Sequence, residues 1–113
     1  MRRETDFLID MVQACRNILE WTAGMDLRAF HTDHPIQAAI LHEFMILGEA
    51  SKRLSPAFKA EHPELAWKEV SGMRDRLIHG YFNVDLTLVW DAVCQDIPDL
   101  LAVLNRVLPP LSE

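Results

Sequence analysis

A chain of 113 residues, half of them apolar and a quarter charged, is long enough to bury roughly two-thirds of its unfolded surface and to stand as one domain without disulfides or metals. Few Gly and Pro exclude a fibre or a disordered tail. The longest apolar runs, "FMILG" and "LLAVL", fall far short of the roughly 20 residues a membrane span needs, and acidic residues interrupt "MRRETDFLID" before an apolar signal segment forms, so a cytoplasmic location is expected.

The formal charge of −6 argues against an indiscriminate coat for nucleic acid and directs attention to how charge is distributed. Between positions 52 and 76, Lys52, Arg53, Lys59, Lys68, Arg74 and Arg76 outnumber Glu61, Glu64, Glu69 and Asp75, which makes this the only net-basic block. Cys15 and Cys94 have neither CxxC nor His-rich spacing and read as two reduced core thiols.

In chain order, Phe7, Met11, Ala14, Cys15, Ile18, Leu19 and Trp21 recur at helical spacing and predict a first amphipathic helix from Glu4 to about Thr22, stopped by Gly24. Asp26 suits the cap of one short turn. Thr32 or Asp33 then caps a second long helix with Pro35 in its first turn, predicted over about 35 to 54 and ended by the Ser55-Pro56 step. Residues 56 to 70 read as a structured connector with two short helix-like pieces, inside which Trp67 and Val70 are inward anchors.

A third helix is expected from near Ser71, fading around Gly80 to Asn83. Asp85 is a good cap for a fourth, whose apolar set runs from Leu86 through Val89, Val93, Ile97, Leu100 and Leu104 to Val107, with Pro98 expected to kink it. No strand-period alternation, hairpin dipeptide or internal repeat appears. The prediction is a single all-α domain over residues 1–113, a helical bundle.

The chemistry concentrates in "GMRDRLIHGYFNVD", residues 72 to 85. On a helix, Asp75 and His79 share one face as i and i+4, while Arg74 and Tyr81, seven apart, share another. A carboxylate one turn before an imidazole fixes its tautomer and leaves the second ring nitrogen for proton transfer near neutral pH. A planar guanidinium binds phosphate in a forked geometry, so Arg74, supported by Arg76, suits the charge of a pentacovalent phosphorus. Together His79 and Arg74 suggest RNA cleavage without a metal, by attack of the ribose 2′-hydroxyl on the adjacent phosphorus. Spacing alone also fits a plain solvated helix face ending in a histidine.

From about Phe7 to Leu108 the chain resembles the HepT-like branch of the HEPN family. The most specific match is Arg, four residues, His, one residue, Tyr, here Arg74, His79 and Tyr81, with a polar residue after the Arg supplied by Asp75. "ILGEASKRL" at 46 to 54, "PELAWKEVSGMR" before the motif and "DIPDL" at 96 to 100 match in the same order. One departure lies on the second long helix, where His42 and Met45 align with positions that often carry Arg and Glu in this branch.

The resemblance implies an antiparallel four- to five-helix bundle that forms a homodimer with two motifs facing one cleft. It implies a metal-independent endoribonuclease, without cofactor, of a toxin–antitoxin pair. Arg74 and His79 would be catalytic and Asp75 the orienter of His79. Arg76, Glu49, Lys52 and Arg53 would support RNA in the cleft, and Tyr81 would accept adenylate from a minimal nucleotidyltransferase (MNT) antitoxin, whose added phosphate would pair with Arg74 or Arg76 and exclude substrate. The alternatives are a HEPN subunit without activity that engages the nucleotidyltransferase or a nucleotide, and a helical scaffold in which the motif only pairs charges.

Four further readings concern single residues. Glu49, on a largely apolar helix, would need Arg74 or Arg76 if buried. His42, seven residues before it, would line the cleft or simply face solvent. His31, His34 and His62 lack the spacing of a metal site and read as surface histidines. Trp21, Trp67 and Trp90 fall on apolar faces, as core or dimer interface, rather than as base-stacking platforms.

Overall fold

The computed structural model describes residues 3–80 and 83–108, the side chain of His79 excepted. Its helices are α1 (Glu4–Thr22), α2 (Leu27–Thr32), α3 (His34–Arg53), α4 (Pro56–Glu61), α5 (Trp67–Gly80), α6 (Leu86–Asp91) and α7 (Ile97–Val107), with a π-helical turn at Ala92–Asp96 joining the last two into one rod. No strand occurs among the described residues. The fold is the all-α bundle that the sequence predicts, built from four long rods with α2 and α4 as short connectors.

The caps explain the boundaries. Asp26 accepts the Ala29 N–H, Asp33 the Ile36 N–H and Ser55 the Phe58 N–H, and Asp85 accepts from both Thr87 and Leu88. Gly24, at φ +78°, makes the left-handed turn that separates α1 from α2.

Helix α3 is the central rod, packed on α1 along one side and on α5 along another, while α7 closes the far side of α1. The partners on either side of α3 run in the opposite sense to it. Glu4 accepts the Ser55 N–H and Asn17 donates to Glu43, which makes α1 and α3 antiparallel; Ser51 bonds Ser71, and Gly48 lies against Arg74, which does the same for α3 and α5. Met11, Cys15 and Ile18 of α1, Ile40 and Leu47 of α3, Leu77 of α5, and Ile97 and Leu104 of the last rod fill the interior with almost no exposed surface.

Four expectations are revised. The third long helix begins at Trp67, not near Ser71. Leu65 accepts the Trp67 N–H, Ala66 accepts that of Val70, and the indole of Trp67 donates to the His62 carbonyl, so these bonds start the helix one turn early. The effect of Pro98 is a widened turn: Ile97 donates back to Ala92, five residues away, which relieves the clash between the proline ring and the preceding turn.

Through that wider turn Cys94 reaches solvent, so only Cys15 is a core thiol, its pKa pushed up to about 12 by burial. Trp21 leaves 38% of its surface exposed near the end of α1, whereas Trp90 packs its ring 5.2 Å from that of Phe30 and Trp67 is partly buried. Among the histidines, His31 and His34 are exposed, and His62 is partly covered by the Phe58 ring at 4.6 Å.

Candidate functional site

The seam between α3 and α5 is unusually close. A Cβ added to Gly48 would lie far inside contact distance of the Arg74 Cβ, and 3.0 and 3.2 Å from Arg74 Cγ and the Val70 carbonyl. Glycine at 48 therefore lets the two backbones approach. One turn along, the hydroxyl of Ser51, fully buried, meets that of Ser71 at 2.9 Å and fixes the register. This seam decides where Arg74 emerges.

Its guanidinium is held from two sides. One terminal nitrogen, Nη2, pairs with Glu49 Oε2 at 3.0 Å, and Nη1 donates to Asp75 Oδ1 at 3.2 Å. Lys52 Nζ reaches the same Asp75 oxygen at 2.6 Å, and Arg53 Nη2 pairs with Glu49 Oε1 at 3.2 Å. Five side chains thus form one chain of alternating charge, Lys52, Asp75, Arg74, Glu49 and Arg53. The Lys52 ammonium, with Arg74 beside it, holds the Asp75 carboxyl below the usual carboxylate range. Glu49 is not buried, contrary to the situation that would have forced it to pair, yet it meets Arg74 all the same.

Arg74, Glu49 and Arg53 line a groove of about 760 Å³ between α1, α3 and α5. Met45, Ile46 and Ala50 of α3, Phe7 of α1 and Ile78 of α5 give it apolar walls, and Asp10 and His42 lie on its rim. His42 is exposed into this groove together with Glu49, as their spacing of seven suggests.

Arg76 is not part of it. Two residues beyond Arg74, it points about 200° away around the helix and borders a shallow notch with Lys68, Glu69 and Gly72. Position 79 belongs to the last turn of α5, but the side chain of His79 and all of Tyr81 lie outside the described residues. No group of three His, Cys, Asp or Glu suited to a metal ion occurs among the described residues. Nor is any helix among them long and apolar enough to cross a membrane.

Sequence reasoning passed over Gly48, which enters only as one letter of the matched run "ILGEASKRL". The signal was present as small residues at 48, 51 and 71 in otherwise bulky helices, a pattern that marks close helix approach.

Comparison with known proteins decides the family. Residues 11–107 match the family described as ribonuclease HepT-like. The chain belongs to the HepT-like ribonuclease family. Among curated relatives, "Probable ribonuclease HepT" of Thermococcus cleftensis is 41% identical over 88% of this chain and 90% of its own. "Putative RNase TTE0752" of Caldanaerobacter subterraneus is 32% identical over 96% of both chains. "Putative RNase MJ1380" of Methanocaldococcus jannaschii is 34% identical over 83% of this chain and 86% of its own. No solved structure gives a significant match. The family is one of HEPN ribonucleases, and RNA is the substrate class it implies.

Proposed function

We propose that this protein is a metal-independent endoribonuclease of a toxin–antitoxin pair, located in the cytoplasm and acting as a homodimer in which two copies of the motif share one cleft. The observation that carries the reading is the placement of Arg74, oriented by Glu49 and Asp75 at the wall of a groove, five positions ahead of His79 in a family of ribonucleases. Arg74 binds the scissile phosphate and stabilises charge that builds on it. His79 moves the proton, and Asp75 orients it.

In the reaction the ribose 2′-oxygen bonds to the adjacent phosphorus as the bond to the next nucleotide's 5′-oxygen breaks. The 2′-hydroxyl proton leaves to a base and a proton reaches the 5′-oxygen from an acid, giving a 2′,3′-cyclic phosphate and a 5′-hydroxyl. DNA, without the 2′-hydroxyl, is inert. A minimal nucleotidyltransferase partner silences the enzyme by adenylylating Tyr81, which places bulk and an extra phosphate beside the arginines.

The experiment is incubation of the purified protein with total cellular RNA and excess chelator, beside Arg74→Ala and His79→Ala proteins of confirmed fold. Discrete fragments ending in cyclic phosphate from the wild type alone support the reading. Absence of cleavage by protein with unmodified Tyr81 refutes it and leaves a HEPN subunit that only binds its partner or a nucleotide. One observation favours that second reading: both terminal nitrogens of Arg74 already meet carboxylates.

A further inference from the structure

The cations of the basic block divide into two sets, with Lys59 apart from both on α4. Lys52, Arg53 and Arg74 are paired with Asp75 and Glu49 in the charge chain described above. Lys68 and Arg76, both exposed, meet no carboxylate within ion-pair distance among the described residues. These unpaired cations lie on the face of α5 turned away from α3. Positions 68, 72 and 76 are successive i, i+4 neighbours, and Lys68 and Arg76 stand about 12 Å apart along the axis.

Between them Gly72 has no side chain, and a Cβ there would meet nothing within 4 Å. The result is a notch of about 260 Å³ with a cation at either end, open backbone in the middle and Glu69 on its edge. The helical register brings position 75 onto the flank of the same face, so the notch leads along α5 toward the motif.

We infer that the Lys68–Gly72–Arg76 face is a second RNA site, which holds phosphates of the strand flanking the scissile bond as it runs along α5 toward the helix N-terminus. The inference rests on the ribonuclease reading for the identity of the ligand, and on the structure for the site. Free cations separated by a gap without side chain favour a phosphate backbone, which needs charge and close approach but no base-reading code. The paired cations of the groove offer less to a second phosphate, because each already serves a carboxylate.

The test measures equilibrium binding by fluorescence anisotropy, using the wild-type protein and 2′-O-methyl oligouridylates of 12 and 3 nucleotides, which cannot be cleaved. Lys68→Glu and Arg76→Ala are expected to weaken binding of the 12-mer at least tenfold, and the slope of log affinity against log salt becomes shallower by about 0.7 for each phosphate that is no longer neutralised. Glu69→Gln is expected to strengthen it. The 3-mer, too short to span both sites, changes little with any of these. Lys59→Glu, the same charge change on α4, is the control for net charge.

Equal weakening by Lys59→Glu and Lys68→Glu, or equal effects on 12-mer and 3-mer, overturns the inference. So does failure of the wild type to bind the 12-mer. Cleavage of total RNA is read separately: a protein that binds through this face but does not cut keeps the second site and loses the catalytic reading.

Discussion

Gly48→Ala is the most direct probe of the seam that places Arg74. The added methyl would collide with the Arg74 Cβ, a rigid atom next to backbone, and crowd Arg74 Cγ and the Val70 carbonyl at 3.0 and 3.2 Å, so relief requires α3 and α5 to move apart. Overpacking of this kind costs about 1–3 kcal/mol, and contact with near-backbone atoms argues for the upper end. Replacing Gly by Ala within a helix returns about 1 kcal/mol, which leaves a net loss of about 2 kcal/mol. For 113 residues an unfolding entropy of about 2.1 cal/mol/K per residue makes 2 kcal/mol equal to a fall of about 8 °C in Tm. The assay is thermal unfolding followed by circular dichroism, with Gly72→Ala as the matched control. At 72 the methyl meets nothing within 4 Å, so helix propensity acts alone and Tm rises by about 2–4 °C. Opposite signs for the same substitution in two helices are the expected outcome. If both variants gain stability, the close approach of α3 to α5 is refuted, and with it the account of how Arg74 is aimed.

Glu49→Gln keeps an oxygen for Arg74 but removes the charge that orients it and releases Arg53; kcat for RNA cleavage is expected to fall about tenfold, equivalent to about 1.4 kcal/mol, with KM unchanged or lower. A raised KM at constant kcat would instead make Glu49 a binding group. Hydrogen bonding from Ser55 holds the Glu4 carboxyl below its ordinary value, so its contribution to stability is present above about pH 4.3 and fades as pH falls through the lower folded value. The Tm difference between wild type and Glu4→Gln should therefore be seen at pH 7 and shrink as the pH is lowered below about 4.3; a difference independent of pH would contradict the ionic origin of the contact. In native protein at pH 8, Ellman's reagent should titrate one thiol, Cys94, and reach the second, Cys15, only after unfolding; rapid reaction of two would show that Cys15 is not buried.

How much of this was legible in the chain depends on the range of the interaction involved. Helix ends were readable because caps are local: Asp26, Asp33, Ser55 and Asp85 each bond backbone within three residues. The early start of α5 was not, because it goes with a bond from the indole of Trp67 back to the His62 carbonyl, a side-chain contact that no local turn signal encodes. The exposure of Cys94 goes with a local slip in the hydrogen-bond ladder before Pro98, after which Ile97, Leu100 and Leu104 return to the buried face that the periodicity predicts. At the site, the motif itself was legible as spacing. Pairing of Arg74 with Glu49 was visible only as one option of two, because choosing between Arg74 and Arg76 requires knowing which face of α5 meets α3, and that is set by Gly48 and Ser71.

The charge chain also bears on how an acidic protein engages RNA. Of the cations in the basic block, the three nearest the groove share two carboxylates and leave a net charge of only +1, so the formal charge of −6 is offset there by little field that attracts polyanions from a distance. Affinity must then come from few phosphates, and the salt dependence of binding should be shallow; two phosphates held on a single strand correspond to a slope of about −1.4. The same pairing keeps Arg74 oriented in the absence of substrate, so little rotamer freedom is left to lose when a phosphate arrives. Weak capture combined with a fixed guanidinium favours a nuclease that discriminates through the strand it can accommodate beside α5 rather than through tight binding. A steep salt slope, close to that of a basic RNA-coating protein, would show that the paired arginines open on binding and that their carboxylates act as a gate.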